Sequence, residues 1–270
     1  MVSFTTIGAE RDPAMANALE RLGFRFGDKG THTSRTMMLT ELDFLLGALS
    51  PSATRDQYRA AVIDENVLGK RSVSNRKLSF QRLSELYGLD PSLPLFRILR
   101  HLWEQDPQAR PLLALQCSLA RDPLLRATAP AILNAKMGQP LGTPDLDAAL
   151  QQALSIRLNP STLNKVARNA GSSWTQGGYT AGRSKKVRTQ PCVTPGNMAF
   201  AAVLGTFQGA RGELLLDTPW VSMFGKSRSE LYALAHTASM RGWLTYRNLG
   251  AVIDLQAAPL LTADERELCL

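Results

Sequence analysis

Between about residues 35 and 135 the apolar residues recur three and four positions apart and few segments alternate with period two, which restricts this stretch to packed helices. In TELDFLLGAL the spacing of Leu42, Leu45, Leu46 and Leu49 is helical, and SATRDQYRAAVIDENVL opens on a Ser/Thr cap ahead of Tyr58, Val62 and Leu68. SVSNRKLSFQRLSELYGL places Leu78, Leu83, Leu86 and Tyr87 on one stripe and stops at Gly88, a C-terminal cap. Short helices punctuated by Pro94, Pro107, Pro111 and Pro123 follow. Upstream, residues 1–34 carry one helix near Ala14 to Leu22 and are expected to form a poorly ordered start. A helical domain over 1–140 is predicted.

The stretch MGQPLGTPD, residues 137–145, reads as a linker because it holds two glycines and two prolines. After it, LDAALQQALSIRL turns Leu146, Ala149, Leu150, Ala153 and Leu154 inward. A second helix, capped by Ser161 or Thr162, has Leu163, Val166, Ala167, Ala170 and Trp174 as its apolar face and ends at Gly177 and Gly178. Tyr179 to Val193, with Gly182, a Lys/Arg tip and Pro191, fits a β-hairpin. Two helices followed by a basic hairpin give a helix-turn-helix with a wing over 141–194. Residues 195–258 repeat the plan. A helix in TPGNMAFAAVLGTFQGARG precedes a strand or turn and a helix in GELLLDTPWVSMFG, then a capped helix burying Leu231, Leu234 and Ala238. The module closes with a hairpin whose strands flank Asn248 to Gly250. Residues 259–270 are left as a tail. The fold class expected is mainly α: a helical N-terminal domain followed by winged helix-turn-helix-like modules with short β-hairpin wings.

Charge is distributed unevenly over this framework. No Asp or Glu occurs between Asp147 and Glu213, a gap of 65 residues that holds eight cations, the whole formal net charge of +8. A basic excess confined to one segment is an electrostatic footprint for a polyanion. On the predicted helix and wing, Lys165, Arg168, Arg183, Lys185, Lys186 and Arg188 would hold phosphates, with Tyr179 beside them and Trp174 on the buried face. A second run, Lys70, Arg71, Arg76, Lys77 and Arg82, has no acid between Glu65 and Glu85 and extends the footprint.

Other chemistries lack their residues. GGYTAGRS approaches the phosphate-loop pattern through Gly177, Gly182 and Ser184, but Arg183 stands where Lys belongs and a helix, not a strand, precedes it. His32, His101 and His236 lie apart from one another and from Cys117, Cys192 and Cys269, so no ligand spacing arises and no metal or cofactor is expected. Asp64 and Glu65 sit on an ordinary helix face, and no serine lies in a nucleophile-elbow pattern. Catalysis and a small-molecule substrate are not expected. Three widely spaced cysteines fit a reducing compartment. The start lacks a signal-peptide pattern, and the longest apolar stretch, Met198 to Phe207, is half a membrane span. A cytoplasmic location away from membranes follows.

The order NVLGKRSVSNRKLSFQRLSELYGL, LLALQCSLARDPLLRATAPAIL and NPSTLNKVARNAGSSWTQGGYTAG resembles the BrxA family, small helical accessory proteins of BREX bacteriophage-defence systems. The matching features are Asn66, Leu68, Lys70, Arg71, Ser72 and Arg76 ahead of an Arg-rich helix, and the Ser/Thr-led helix from Ser161 to Gly178. The resemblance spans roughly residues 40–182 and leaves 195–258 as an extra module. It implies a helical core with helix-turn-helix-like modules, DNA binding, no enzymatic activity and action beside larger defence components. The function expected is therefore a non-catalytic, largely sequence-independent binder of double-stranded DNA in a prokaryotic anti-phage system. The alternatives are a scaffold that binds other defence-system proteins and a winged-helix transcription regulator. The charge pattern alone does not choose DNA over RNA.

Overall fold

The computed structural model describes residues 4, 13–183, 185–250 and 252–269, and the weak order expected at the extreme N-terminus falls on residues outside these. The chain is mainly helical, 62% helix against 6% strand, as its periodicity requires. Residues 13–34, predicted to belong to a poorly ordered start, instead pack. Helix α1 (Pro13–Leu22) buries Leu19 and Leu22, and the 3-10 turn Thr31–Thr33 buries His32.

Helices α2 (Leu39–Ala48), α3 (Arg55–Ile63) and α4 (Val73–Tyr87) follow. Local chemistry sets their ends: Thr54 and Gln57 form a reciprocal capping box for α3, Ser72 caps α4, and Gly88 ends α4 at φ 92°. Leu68, expected on the α3 stripe, lies beyond that helix, which stops at Ile63. Helices α5 (Pro94–Gln105) and α6 (Arg110–Arg121) come next, and α6 is buried on every side from Leu112 to Arg121. Its last residue, Arg121, donates to the carbonyls of Ser84 and Glu85 and to that of Gly23, tying the end of α4 to the turn after α1. Two short helices, α7 (Pro123–Ala127) and α8 (Ala129–Leu133), complete this part.

The 137–145 stretch is not a free linker. Its residues Pro140–Leu141 form strand β1, followed at once by α9 (Thr143–Ala153), α10 (Pro160–Gln176), β2 (Thr180–Ala181) and β3 (Lys186–Arg188). The three strands form an antiparallel sheet of order β1-β3-β2, with Leu141 opposite Lys186 and Thr180 opposite Arg188. The cap of α10 is Asn159, which accepts from the Thr162 N–H, rather than Ser161 or Thr162 themselves. Pro160 takes the first helical position, where its missing N–H is harmless, and that moves the cap one residue upstream. Of the inward set expected on α9, Leu146 and Leu150 are buried whereas Ala153 is exposed.

Helix α11 (Pro195–Phe207) is buried from Gly196 to Phe207, so the apolar run that fell short of a membrane span is a core helix. Among the described residues no helix is long and apolar enough to cross a membrane. The α11 N-terminus is bound to the first half of the chain. The Asp106 carboxylate accepts from the Gly196 N–H at 3.0 Å, Asn197 Nδ2 donates to the Ala109 carbonyl, and Gln116 Nε2 donates to the Asn197 carbonyl. Buried side chains accordingly form one continuous cluster across the expected boundaries at 140 and 194. A 3-10 turn (Gly212–Asp217), α12 (Pro219–Ser222), α13 (Arg228–Met240) and the hairpin of β4 (Thr245–Leu249) and β5 (Val252–Gln256) follow. In α13 it is Ala235, not Leu234, that joins Leu231 and Ala238 in the core. Strand β4 runs on to Leu249, which pairs with Val252, so of the expected turn Asn248 to Gly250 only Gly250 lies outside the strand. The expected tail is docked: α14 (Ala263–Leu268) buries Glu265 against Arg97 at 2.5 Å, and Arg211 donates to the Cys269 carbonyl.

Candidate nucleic-acid interface

Helix α10 and the β2–β3 hairpin carry most of the basic segment, and the core decides which cations reach solvent. Val166, Ala167, Ala170 and Trp174 face inward, leaving Lys165 and Arg168 exposed on the opposite side. Trp174 is fully buried as expected, its indole N–H donating to Thr128 Oγ1 at 2.8 Å. The helix stops where Gly177 meets α6: a Cβ there would lie 2.5 Å from Leu115 Cδ2. Gly182 turns the hairpin at φ 106°, where a Cβ would collide with the Lys185 carbonyl. That turn presents Arg183 and Lys185 to solvent; Ser184, the last element of the phosphate-loop near-match, lies outside the described residues.

Two residues expected at the interface point into the protein. Tyr179 is fully buried, edge-on to Trp174 with ring centroids 5.2 Å apart, and its hydroxyl donates to the Met223 carbonyl at 2.9 Å. Arg188 is 4% exposed; its guanidinium lies over the Tyr179 ring, 4.9 Å from the centroid, and donates to the carbonyls of Tyr179 and Thr189. Both are therefore removed from any phosphate contact. A buried cation can persist here because backbone carbonyls and an aromatic face replace its water.

Lys186 is intermediate. It is half-buried, its ammonium donates to Thr175 Oγ1 at 2.6 Å, and burial lowers its pKa from the usual lysine range. With Arg168 and Arg183 it lines a cleft of about 380 Å³ between α10 and the three-stranded sheet. Gly142 and Thr143 at the start of α9 border the same cleft, and its floor includes Leu141 and Leu146. Neither a carboxylate nor an aromatic ring lines it among the described residues. Arg157, Lys165, Arg168, Arg183, Lys185 and Lys186 make no ion pair with a carboxylate among the described residues.

The second basic run is largely spoken for. Lys70 pairs with Glu41 at 3.0 Å, Arg82 pairs with Glu85 at 2.7 Å, and Arg76 donates to the carbonyls of Lys70 and Ile63, where it covers the end of α3. Arg71 and Lys77 are exposed. This run is therefore a weaker footprint than its composition suggests.

One constellation was invisible in the sequence because its members lie far apart in it. His32 Nδ1 lies 2.8 Å from Asp122 Oδ2 and its Nε2 lies 2.8 Å from Ser173 Oγ. An Nδ1–H tautomer, donating to the carboxylate, leaves Nε2 to accept from the hydroxyl. That series activates a serine nucleophile where a substrate can reach it. Here His32, Asp122 and Ser173 are each at most 1% exposed, and Ser173 Oγ also accepts from the Met37 N–H and lies 3.1 Å from the Asn169 carbonyl. The relay is closed to a substrate; it ties the Thr31–Thr33 turn to α10 and to the start of α7, where Asp122 also accepts from the N–H groups of Leu124 and Leu125. The candidate surface is thus reduced to the exposed cations of α10 and the hairpin tip, with Lys186 in the lining of the cleft. Compared with family models, curated proteins and solved structures, the chain matches none.

Proposed function

We propose that the chain is a non-catalytic accessory protein that holds duplex DNA by its phosphate backbone with little sequence preference, within a prokaryotic anti-phage defence system of the BREX type. The observation that carries the reading is the set of Lys165, Arg168, Arg183, Lys185 and Lys186 on one helix and one hairpin, unpaired with any carboxylate among the described residues. Support comes from the element order: helices α7 and α8, then β1, α9, α10, β2 and β3, with strand order β1-β3-β2, follow the plan of a winged helix-turn-helix. In that plan α10 enters or straddles a groove while the hairpin lies along the backbone. Cations that touch phosphate position the protein without reading bases. The defence assignment rests on the resemblance of residues 66–76 and 161–178 to the BrxA pattern.

A second reading is favoured by the other module. On α13, Tyr232, His236 and Met240 stand four residues apart, Tyr246 stacks on Tyr232 at 6.2 Å, and Met240 is 76% exposed. Nearby charges pair internally as Lys226 with Glu230 and Arg228 with Asp217. Stacked tyrosines beside an exposed methionine, with the neighbouring charges paired among themselves, suit a protein partner better than a polyanion, in keeping with a scaffold role. Salt titration of duplex binding tests the main reading. With five phosphates contacted, log K against log salt should have a slope near −4.5, from about −0.9 per contact, and be alike for unrelated sequences. A flat response would remove the DNA reading and leave the scaffold.

A further inference from the structure

We propose that the cleft between α10 and the three-stranded sheet is a seat for one phosphoryl group, held by Lys186 at its base with Arg168 and Arg183 at its walls. The inference rests on the nucleic-acid interface above and gives it a fixed point. Lys165, Arg168, Arg183 and Lys185 are exposed, whereas Lys186 is half-buried and already held by the Thr175 hydroxyl. Its stem runs alongside Gly171, where a Cβ would make ordinary contact with Lys186 Cε at 3.8 Å and crowd only Leu146 Cδ1 at 3.2 Å. Thr175 Oγ1, itself donating to the Gly171 carbonyl and 2.8 Å from Thr180 Oγ1, holds the ammonium from one side. An ammonium has three donors, so two remain for a ligand.

The lining selects the class of ligand. A half-buried lysine whose pKa is lowered by burial gains from an anion that replaces lost hydration. No carboxylate among the described lining residues competes, and no ring among them offers a base a stacking partner. Thr143 and Ser172, which also carry hydroxyls, line the same space, while the Thr180 hydroxyl donates to Thr175 Oγ1 and so steadies the group that holds Lys186. At about 380 Å³ the cleft has room for a phosphoryl group together with part of the molecule that carries it. A single tetrahedral phosphoryl group meets these conditions, whether it comes from an internal phosphodiester or from a terminal phosphate.

The experiment titrates the full chain with inorganic phosphate at constant ionic strength, followed by amide-resolved NMR. In parallel, binding is measured for a covalently closed duplex and for the same duplex opened to carry a 5′-phosphate. Expected are saturable shifts at Gly171, Thr175 and Lys186 that vanish in Lys186→Met. That variant should also bind duplex on the order of tenfold more weakly, as loss of a charge-assisted contact implies, with a smaller loss for Lys185→Met. Equal affinity for the closed and opened duplexes identifies an internal phosphodiester, and preference for the opened one a terminal phosphate. If Lys186→Met folds poorly, the pair Arg168→Gln and Arg183→Gln, at exposed positions, carries the same expectation. Shifts that never saturate, or equal losses in Lys186→Met and Lys185→Met, overturn the seat while the electrostatic interface stands. Saturable phosphate shifts without duplex binding keep the seat and overturn the interface.

Discussion

Arg188 and Lys185 lie three residues apart in one basic run, yet their substitution should read out on different instruments. Replacing Arg188 by Met removes two hydrogen bonds to the Tyr179 and Thr189 carbonyls and the guanidinium over the Tyr179 ring. A hydrogen bond from a charged donor is worth about 1.5–3 kcal/mol and a cation–π contact about 0.5–2 kcal/mol. Two things reduce the sum. The guanidinium no longer has to be desolvated, and the Tyr179 carbonyl keeps the Thr189 N–H at 2.9 Å as a partner. A net loss of about 2–3 kcal/mol is reasonable. At about 2–4 °C per kcal/mol for a chain of this size, the melting temperature should fall by roughly 4–12 °C. DNA affinity and its salt slope, measured well below the melting point, should be unchanged. Lys185→Met should do the reverse: stability within about 0.5 kcal/mol of wild type and a slope shallower by about 0.9. Calorimetry and fluorescence anisotropy on both variants decide it. An Arg188→Met protein with the wild-type melting temperature and a slope reduced by about 0.9 would refute the burial argument.

Asp122 should make part of the stability acid-labile. Burial raises its pKa, but its pairing with His32 and the backbone hydrogen bonds from Leu125 and His32 outweigh it and hold the carboxyl below its ordinary 3.8. A carboxyl with a depressed folded pKa contributes stability above its unfolded value and loses it as pH falls through the folded one. Urea unfolding of wild type should therefore weaken below about pH 3.8, and Asp122→Asn should be less stable at pH 7 by about 3–5 kcal/mol with that acid component missing. Equal stability of the two proteins at pH 7 would show that the relay ties nothing down. Thiol labelling gives a separate check: burial pushes the Cys117 thiol up to about 12 and raises that of Cys269, while Cys192 is exposed. The native protein should label rapidly at Cys192 alone, with the other two reacting only on unfolding; rapid labelling at Cys117 would contradict the packing of α6.

Features written in neighbouring residues were legible before the fold was seen. The Ser/Thr cap ahead of Tyr58, found at Thr54, the stop at Gly88 and most of the apolar faces of α4 and α10 are local and lie where spacing puts them, although Leu78 of the α4 stripe is only partly buried. Three kinds of feature were not legible. Strand β1 is two residues long, too short to alternate, and Gly and Pro around it read as a linker. The partners His32, Asp122 and Ser173 are up to 141 residues apart, so no window holds them. Arg188 and Tyr179 look like surface residues by type, and only the carbonyls and rings that surround them in three dimensions make their burial tolerable. The candidate basic surface was consequently drawn too wide: Lys165, Arg168, Arg183 and Lys185 are exposed, whereas two of the wing residues and most of the 70–82 run serve the fold.

The pairing of β1 with β3 also constrains how the chain is made. Residues 140–141 meet residues 186–187 only after the 44 residues between Leu141 and Lys186 have brought the chain back. The β2–β3 hairpin can zip locally within microseconds, while the third strand must wait on loop closure across two helices. During synthesis at about 5–20 residues per second, Pro140 and Leu141 would spend seconds outside the ribosome before their partner emerges. Until then this two-residue strand is unpaired, and Pro140, which helps disguise it in the sequence, lacks an N–H and makes it a poor place for another chain to add.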